Sequence, residues 1–339
     1  MLRVGIIGLG FIGHVHYKAY RALKDKVTIA AICDIERERL DHPGAILGNI
    51  DAGPDGVDLS EAALYTDAAK MLAEQKLDLV SIGLPTYLHA KYTRMALEAG
   101  VHVFCEKPMA LNPAECDSMI AAAEANGKLL QIGHVIRFWP EYGWARDAVQ
   151  DGRYGKLLAA HFQRLSQTPN WSWQNWLLDS TKSGGAALDL HIHDADYVHY
   201  LFGMPNAVFS TGATRVSGGS DHLLTQYLYC GNLAVSAVGG WIMSKAFGFR
   251  QAFDLVFERA NIQYDSTHSP SLVVQPHDKE PFSPEVSSDS GYDIEISHFV
   301  ERILGAELPI VLTPQESRES VRLILAEVES AATGKVVAL

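Results

Sequence analysis

The run Arg3-Val4-Gly5-Ile6-Ile7-Gly8-Leu9-Gly10-Phe11-Ile12-Gly13-His14 decides the fold. An apolar strand, Arg3–Gly8, ends in Gly-x-Gly-x-x-Gly, and a helical pattern opens at Ile12. Three glycines alone suit any tight strand–turn–helix. Here Asp34 follows 21 residues after Gly13, at the end of a second apolar strand, Val27–Cys33. That order is the one a dinucleotide site requires. Gly8 permits the tight turn, Gly10 the close approach of a pyrophosphate, and Gly13 the packing of helix on strand. Amides at the helix start, from Phe11 and Ile12 onward, would hold the phosphates. Asp34 would accept hydrogen bonds from the ribose hydroxyls and repel a 2′-phosphate, so NAD is expected ahead of NADP. Arg37 nearby keeps NADP open.

The rhythm continues outward from this stretch. Further strands are expected at Leu77–Gly83, Val101–Cys105 and Leu129–Gly133, separated by helices at Ile12–Leu23, Thr66–Glu74, His89–Glu98 and Pro113–Asn126. Asn112 can cap the last of these, with Pro113 in its first turn and Gly127 past its end. Continuous apolar strands alternating with helices imply a doubly wound α/β domain, residues 1–134, with a parallel sheet covered on both faces. Asp41–Ser60, rich in glycine, reads as a long loop with room for a short helix. Beyond His134 strands follow one another at Leu157–Leu165, Ala207–Thr214, Leu223–Tyr229, Leu233–Gly239, Ala252–Glu258 and Ser271–Val274. Such clustering predicts an α+β second domain, 135–339, with an antiparallel sheet. Thr267–Ser290, with four prolines and many serines, is expected to contain a long loop, and Pro314–Ala332 reads as a last helix.

A net charge of −12 without a basic run argues against nucleic acid as a partner, because phosphate binding needs clustered Lys and Arg. No apolar run approaches the ~20 residues of a spanning helix, and Met1-Leu2-Arg3 leads directly into a strand rather than a secretory signal. Cys33, Cys105, Cys116 and Cys230 are scattered, and the first two sit in apolar runs, as buried thiols do. A cytoplasmic protein is expected.

Two further stretches carry chemistry. Cys105-Glu106-Lys107-Pro108 lies at the carboxyl end of a strand, the edge where open α/β sheets bind ligands, so Lys107 would point toward a nicotinamide. A cis bond before Pro108 would aim that side chain. A solvated lysine on a turn is the plain alternative. In Gly184-Gly185-Ala186-Ala187-Leu188-Asp189-Leu190-His191-Ile192-His193-Asp194-Ala195-Asp196, apolar residues recur at helical spacing. Asp189 and His193, four apart, share a helix face as a carboxylate–imidazole acid/base pair, while His191 points elsewhere. A buried helix with satisfied histidines competes with that reading. A zinc site from His191, His193 and Asp194 competes as well, but residues two apart diverge on a helix, and no metal is expected.

Taken together, the motifs resemble the glucose–fructose oxidoreductase / inositol dehydrogenase (Gfo/Idh/MocA) family. They are the glycine turn followed by His16, Pro85-Thr86 with His89, Glu106-Lys107-Pro108, Arg137-Phe138, Asp189-x-x-x-His193, and Tyr292-x-x-Glu295-x-x-x-Phe299. The resemblance implies a Rossmann domain plus a domain with an open, mainly antiparallel sheet that forms a dimer or tetramer interface. It implies NAD(P)-dependent hydride transfer from a carbinol carbon of a sugar, cyclic polyol or derivative. Lys107, Asp189 and His193 would be catalytic. Gly8, Gly10, Phe11, Ile12, Gly13, Asp34, Pro85, Thr86, His89, Glu106 and Lys107 would meet the cofactor, and Arg137, Trp176 and Tyr292 the substrate. His191 and Ala186 stand where the family varies. Trp171 and Trp173 are further aromatic candidates, with core packing as the alternative. Two other readings remain: an enzyme cleaving glycosides through transient NAD-assisted oxidation, and a catalytically silent NAD-binding regulator.

Overall fold

The computed structural model describes residues 1–44 and 56–339, so part of the expected Asp41–Ser60 loop lies outside the described residues. Two compact units emerge, one of residues 1–135 and 290–319, the other of 136–289 and 320–339. Residues 290–319, expected with the second domain, belong with the first. The reason is apolar burial: Ile296, Phe299 and Val300 join the cluster of Val4, Ile6, Tyr20 and Phe104.

In chain order the first unit runs β1 (Leu2–Ile7), α1 (Phe11–Ala22), β2 (Val27–Cys33), α2 (Arg37–Asp41), β3 (Ala63–Tyr65), α3 (Ala68–Glu74), β4 (Leu79–Ile82), α4 (Thr86–Glu98), β5 (His102–Glu106), α5 (Pro113–Ala125) and β6 (Leu130–Gly133). The six strands are parallel in the order β3-β2-β1-β4-β5-β6. The order reverses between β1 and β4, where a doubly wound sheet opens its ligand crevice. Asn112 caps α5 by accepting from the Glu115 N–H at 3.0 Å, with Pro113 in the first turn. The short β3 escaped the sequence reading, because three half-buried residues carry no usable period.

The second unit holds α6 (Pro140–Asp151), β7 (Leu157–Gln167), α7 (Ser180–Ser183), a wide π turn (Ala187–His191), α8 (Ile192–Phe202), β8 (Ala207–Ala213), β9 (His222–Leu228), β10 (Ala234–Met243), β11 (Phe249–Phe257), β12 (Ala260–Asp265) and β13 (Leu272–Pro276). After α9 (Gly291–Ile303) of the first unit, α10 (Pro314–Thr333) enters the second, and β14 (Val337–Ala338) closes the chain. The sheet order is β13-β12-β11-β7-β10-β9-β8-β14. Only β7 and β10 run parallel; the other neighbours are antiparallel. Alternation in β9 is strict: Leu223, Thr225 and Tyr227 are buried, while Leu224, Gln226 and Leu228 face out. α6 and β12 were not expected from the sequence. No helix among the described residues is long and apolar enough to cross a membrane.

Candidate active site

The glycine turn is built as a dinucleotide cradle. Gly8 has φ +94°, a conformation costly for any other residue, and a Cβ on Gly13 would lie 2.0 Å from the Gly8 carbonyl oxygen. Gly10 begins α1 without a side-chain cap, and no acid occupies the first turn. The helix therefore presents uncapped amides and a positive dipole end, which suit a pyrophosphate. The Thr86 hydroxyl, at the start of α4 where Pro85 forms the cap, is buried and makes no hydrogen bond among the described residues. An orphaned buried donor here fits a bound cofactor. Phe11 and Ile12 form the first turn of α1.

Asp34 sits at the end of β2 as expected, but its carboxylate is already engaged. Oδ2 accepts the Leu9 N–H at 2.7 Å and Arg39 Nη1 at 3.3 Å, and Oδ1 accepts the Glu36 N–H at 2.8 Å. A carboxylate has about four acceptor positions, so one remains on Oδ1 for a ribose hydroxyl. The nearby arginine is Arg39, not Arg37. Arg37 forks onto Asp41 within α2 instead.

At the exit of β5 the Lys107–Pro108 bond is cis. Glu106 Oε2 accepts the Lys107 N–H at 3.2 Å, while Oε1 meets His16 Nε2 at 3.0 Å. His16 Nδ1 in turn faces the Ser81 hydroxyl at 2.9 Å. Ser81 and His16 are fully buried, so this Ser–His–Glu chain fixes the turn rather than attacking a substrate. His89, expected at the cofactor, is corrected by its surroundings. Its ring is buried between the Pro108 carbonyl (Nδ1, 2.7 Å) and the Leu84 carbonyl (Nε2, 2.8 Å), so it ties two turns together. Burial lowers its pKa.

In the second unit, one segment carries five ionisable residues within eight positions. The backbone N–H of Ile192 reaches back to the Ala187 carbonyl, giving the wide turn, a feature common at functional sites. Three of the five are fully buried on partners from other elements. Asp194 takes Arg164 Nε at 2.9 Å and Nη2 at 3.3 Å. Asp196 takes Arg137 Nε at 2.8 Å and Nη2 at 2.9 Å, with the Ser320 hydroxyl at 2.8 Å. His191 Nε2 meets Glu327 Oε2 at 2.8 Å. Asp189, half-buried, and His193, 8% exposed, are the two that reach the surface. The rival zinc site loses His191 to Glu327.

Arg137 is a correction. Its side chain is wholly buried, forked on Asp196 and stacked at 4.4 Å on Tyr200, so it cannot contact a substrate. The sequence marked the arginine but not its partner 59 residues away. Trp171, Trp173 and Trp176 are all half-buried. Between the last two, Gln174 and Asn175 hold φ of 48° and 53°, strain of the kind stored at functional loops. Tyr292 opens α9, its N–H on the Ser290 hydroxyl at 3.2 Å, and belongs to the first unit.

Residues 2–134 match the family described as "Oxidoreductase family, NAD-binding Rossmann fold", and 142–263 match "GFO/IDH/MocA C-terminal domain". Among curated proteins, 2,7-anhydro-N-acetylneuraminate hydratase of Mediterraneibacter gnavus is 37% identical over 151 residues, 43% of this chain and 39% of that protein. D-glucoside 3-dehydrogenase of Escherichia coli K12 is 30% identical over 212 residues, 62% of this chain and 57% of its own length. The chain thus spans well under two thirds of either relative. A solved structure, the WlbA dehydrogenase from Bordetella pertussis in complex with NADH and UDP-GlcNAcA, superposes with a TM-score of 0.82. It is 20% identical, covering 100% of this chain and 98% of that one, which shows a shared fold.

Proposed function

The chain belongs to the GFO/IDH/MocA oxidoreductase family, and on that premise we propose that it oxidises a carbinol carbon of a sugar, cyclic polyol or sugar derivative with NAD. The observation that carries the reading is the segment 189–196. Of its five ionisable residues, three have no exposure at all, while a half-buried carboxylate, Asp189, and an imidazole 8% exposed, His193, stand four residues apart. When bound, the nicotinamide supplies the hydride acceptor. His193 takes the substrate hydroxyl proton, Asp189 orients the imidazole, and Lys107 donates a hydrogen bond that stabilises charge developing on the oxygen. Gly8, Gly10, Phe11, Ile12, Gly13, Asp34, Thr86 and Glu106 hold the cofactor. Trp176 and Tyr292 meet the substrate. NADP is the second cofactor to test, because Arg39 stands beside Asp34.

A second reading, transient oxidation with NAD regenerated inside each turnover, draws support from the hydratase among the relatives. One experiment separates the two. Purified protein is screened with NAD and NADP against inositols, aldoses, sugar acids and glycosides, following NADH absorbance and, in parallel, product by chromatography. Net NADH supports the dehydrogenase; product without NADH supports the second reading; neither, across the panel, refutes both. We further propose a homodimer or homotetramer built on the outward face of the second sheet, where Leu224, Leu228 and Val256 are exposed. Light scattering at 37.1 kDa would exclude it. A cytoplasmic location accords with free Cys33, Cys105 and Cys116, all buried.

A further inference from the structure

His191 is one of the three ionisable residues of segment 189–196 that the mechanism leaves unused, and the one whose partner heads a buried polar chain. Its ring is fully buried, with Nε2 on Glu327 Oε2 at 2.8 Å. The same oxygen accepts the Thr225 hydroxyl at 2.9 Å, and Thr225 Oγ1 in turn accepts the Ser210 hydroxyl at 2.8 Å. Ser210 N–H donates to the Ser330 hydroxyl at 2.8 Å, and Ser330 donates to the Lys335 carbonyl at 2.6 Å. A polar chain therefore runs from the wide turn through β9 and β8 to the end of α10, with every side chain fully buried. Room for the ring comes from Gly239 on β10, where a Cβ would sit 2.5 Å from His191 Nδ1. Burial opposes charge on the ring, but the Glu327 carboxylate overrides it and raises the pKa.

We propose that His191 and Glu327 are a positioning pair for the acid/base pair Asp189 and His193. The wide turn has one residue more than an α-helical turn, and His191 is its last member. Pinning His191 sideways to Glu327 sets the rotation of the backbone on both sides of it. Asp189 lies two residues before the pin and His193 two after, so the pin governs how the carboxylate and the imidazole face each other. Packing alone would hold the segment with an apolar residue at 191. An imidazole bound to a carboxylate holds it in one rotation, because the bond is directional and an unpaired charge here would be costly.

The inference rests on the reading of His193 as the base, and the test keeps the two separable. Three variants of this chain, His191→Gln, Glu327→Gln and His191→Leu/Glu327→Leu, are compared with wild type and with His193→Ala. The assay is NAD reduction with the best substrate of the panel above, and NAD dissociation is measured by fluorescence. Removing both partners leaves no orphaned charge, so the double variant should fold. Its kcat should fall about 10–100-fold, the scale of a small misplacement of catalytic groups. KM should change little and the NAD dissociation constant should stay at the wild-type value. His191→Gln, whose amide can still donate to Glu327, should recover most of the loss. A folded double variant with wild-type kcat overturns the proposal, as does a His191→Gln no better than the double. Should the double fail to fold, Glu327→Gln decides in its place: lowered kcat at unchanged NAD affinity supports the pair, and unchanged kcat overturns it. If His193→Ala itself keeps its turnover, the base assignment falls, whatever the pair does.

Discussion

Replacing Arg137 with methionine separates a structural guanidinium from a substrate-binding one. Its two bonds to Asp196, at 2.8 and 2.9 Å, are both made at fully buried atoms. Hydrogen bonds to charged groups contribute about 1.5–3 kcal/mol each. Breaking a buried pair from one side costs about 3–5 kcal/mol, because the remaining charge is left inside. Both routes converge on about 4 kcal/mol. For a unit of this size each kcal/mol moves Tm by about 2–4 °C, so calorimetry should show the second unit melting about 8–16 °C lower. Adding Asp196→Asn should restore much of the loss, since no carboxylate is then stranded while Ser320 keeps an acceptor. NAD affinity, a property of the first unit, should hold. A guanidinium that touched substrate would behave oppositely, with native Tm and a raised KM. If Arg137→Met melts within about 2 °C of wild type, the buried-fork argument is wrong.

Lys107→Ala and His193→Ala should each lower kcat by ~10²–10⁴-fold, the usual contribution of a proton-handling group, with NAD dissociation constants near wild type; steady-state kinetics and cofactor titration check both. The double variant should be scarcely worse than the poorer single, because the two serve one transition state. Asp34→Ser with Ile35→Arg should shift kcat/KM toward NADP, and a wild type already faster with NADP would contradict the role given to Asp34. Stability should decline on acidification. Burial holds His14, His89, His102, His222 and His298 below the ordinary value of 6.5. As pH falls through 6.5 the unfolded chain protonates these five first, so folding is penalised there. His191, raised by Glu327, contributes stability below 6.5 that is lost as pH rises through its folded pKa, and it opposes the trend. A Tm higher at pH 5 than at pH 7 would show the balance reversed.

The Rossmann half was readable because its information is local. Gly8, Gly10 and Gly13 answer backbone demands within one turn, Asn112 and Pro113 cap a helix they adjoin, and buried parallel strands are apolar runs that need no partner to be recognised. The four-residue spacing of Asp189 and His193 was legible for the same reason, as a pattern on one helical segment. What the sequence alone could not assign was the fate of each polar residue singled out. His89 and Arg137 carried the right chemistry for a site, and the fold turned both inward. Their partners, the Pro108 and Leu84 carbonyls and Asp196, lie between 5 and 59 residues away. Arg39 displaced Arg37 beside Asp34 because a five-residue helix sends the two side chains to different carboxylates. Residues 290–319 returned to the first unit through apolar contacts more than 250 residues from their partners in β1. His191 met Glu327 across 136 residues. Local backbone and burial preferences are written into neighbouring residues and can be read one segment at a time. Pairing of buried charges depends on which elements the core brings together, and that is decided only when the whole chain has closed on itself.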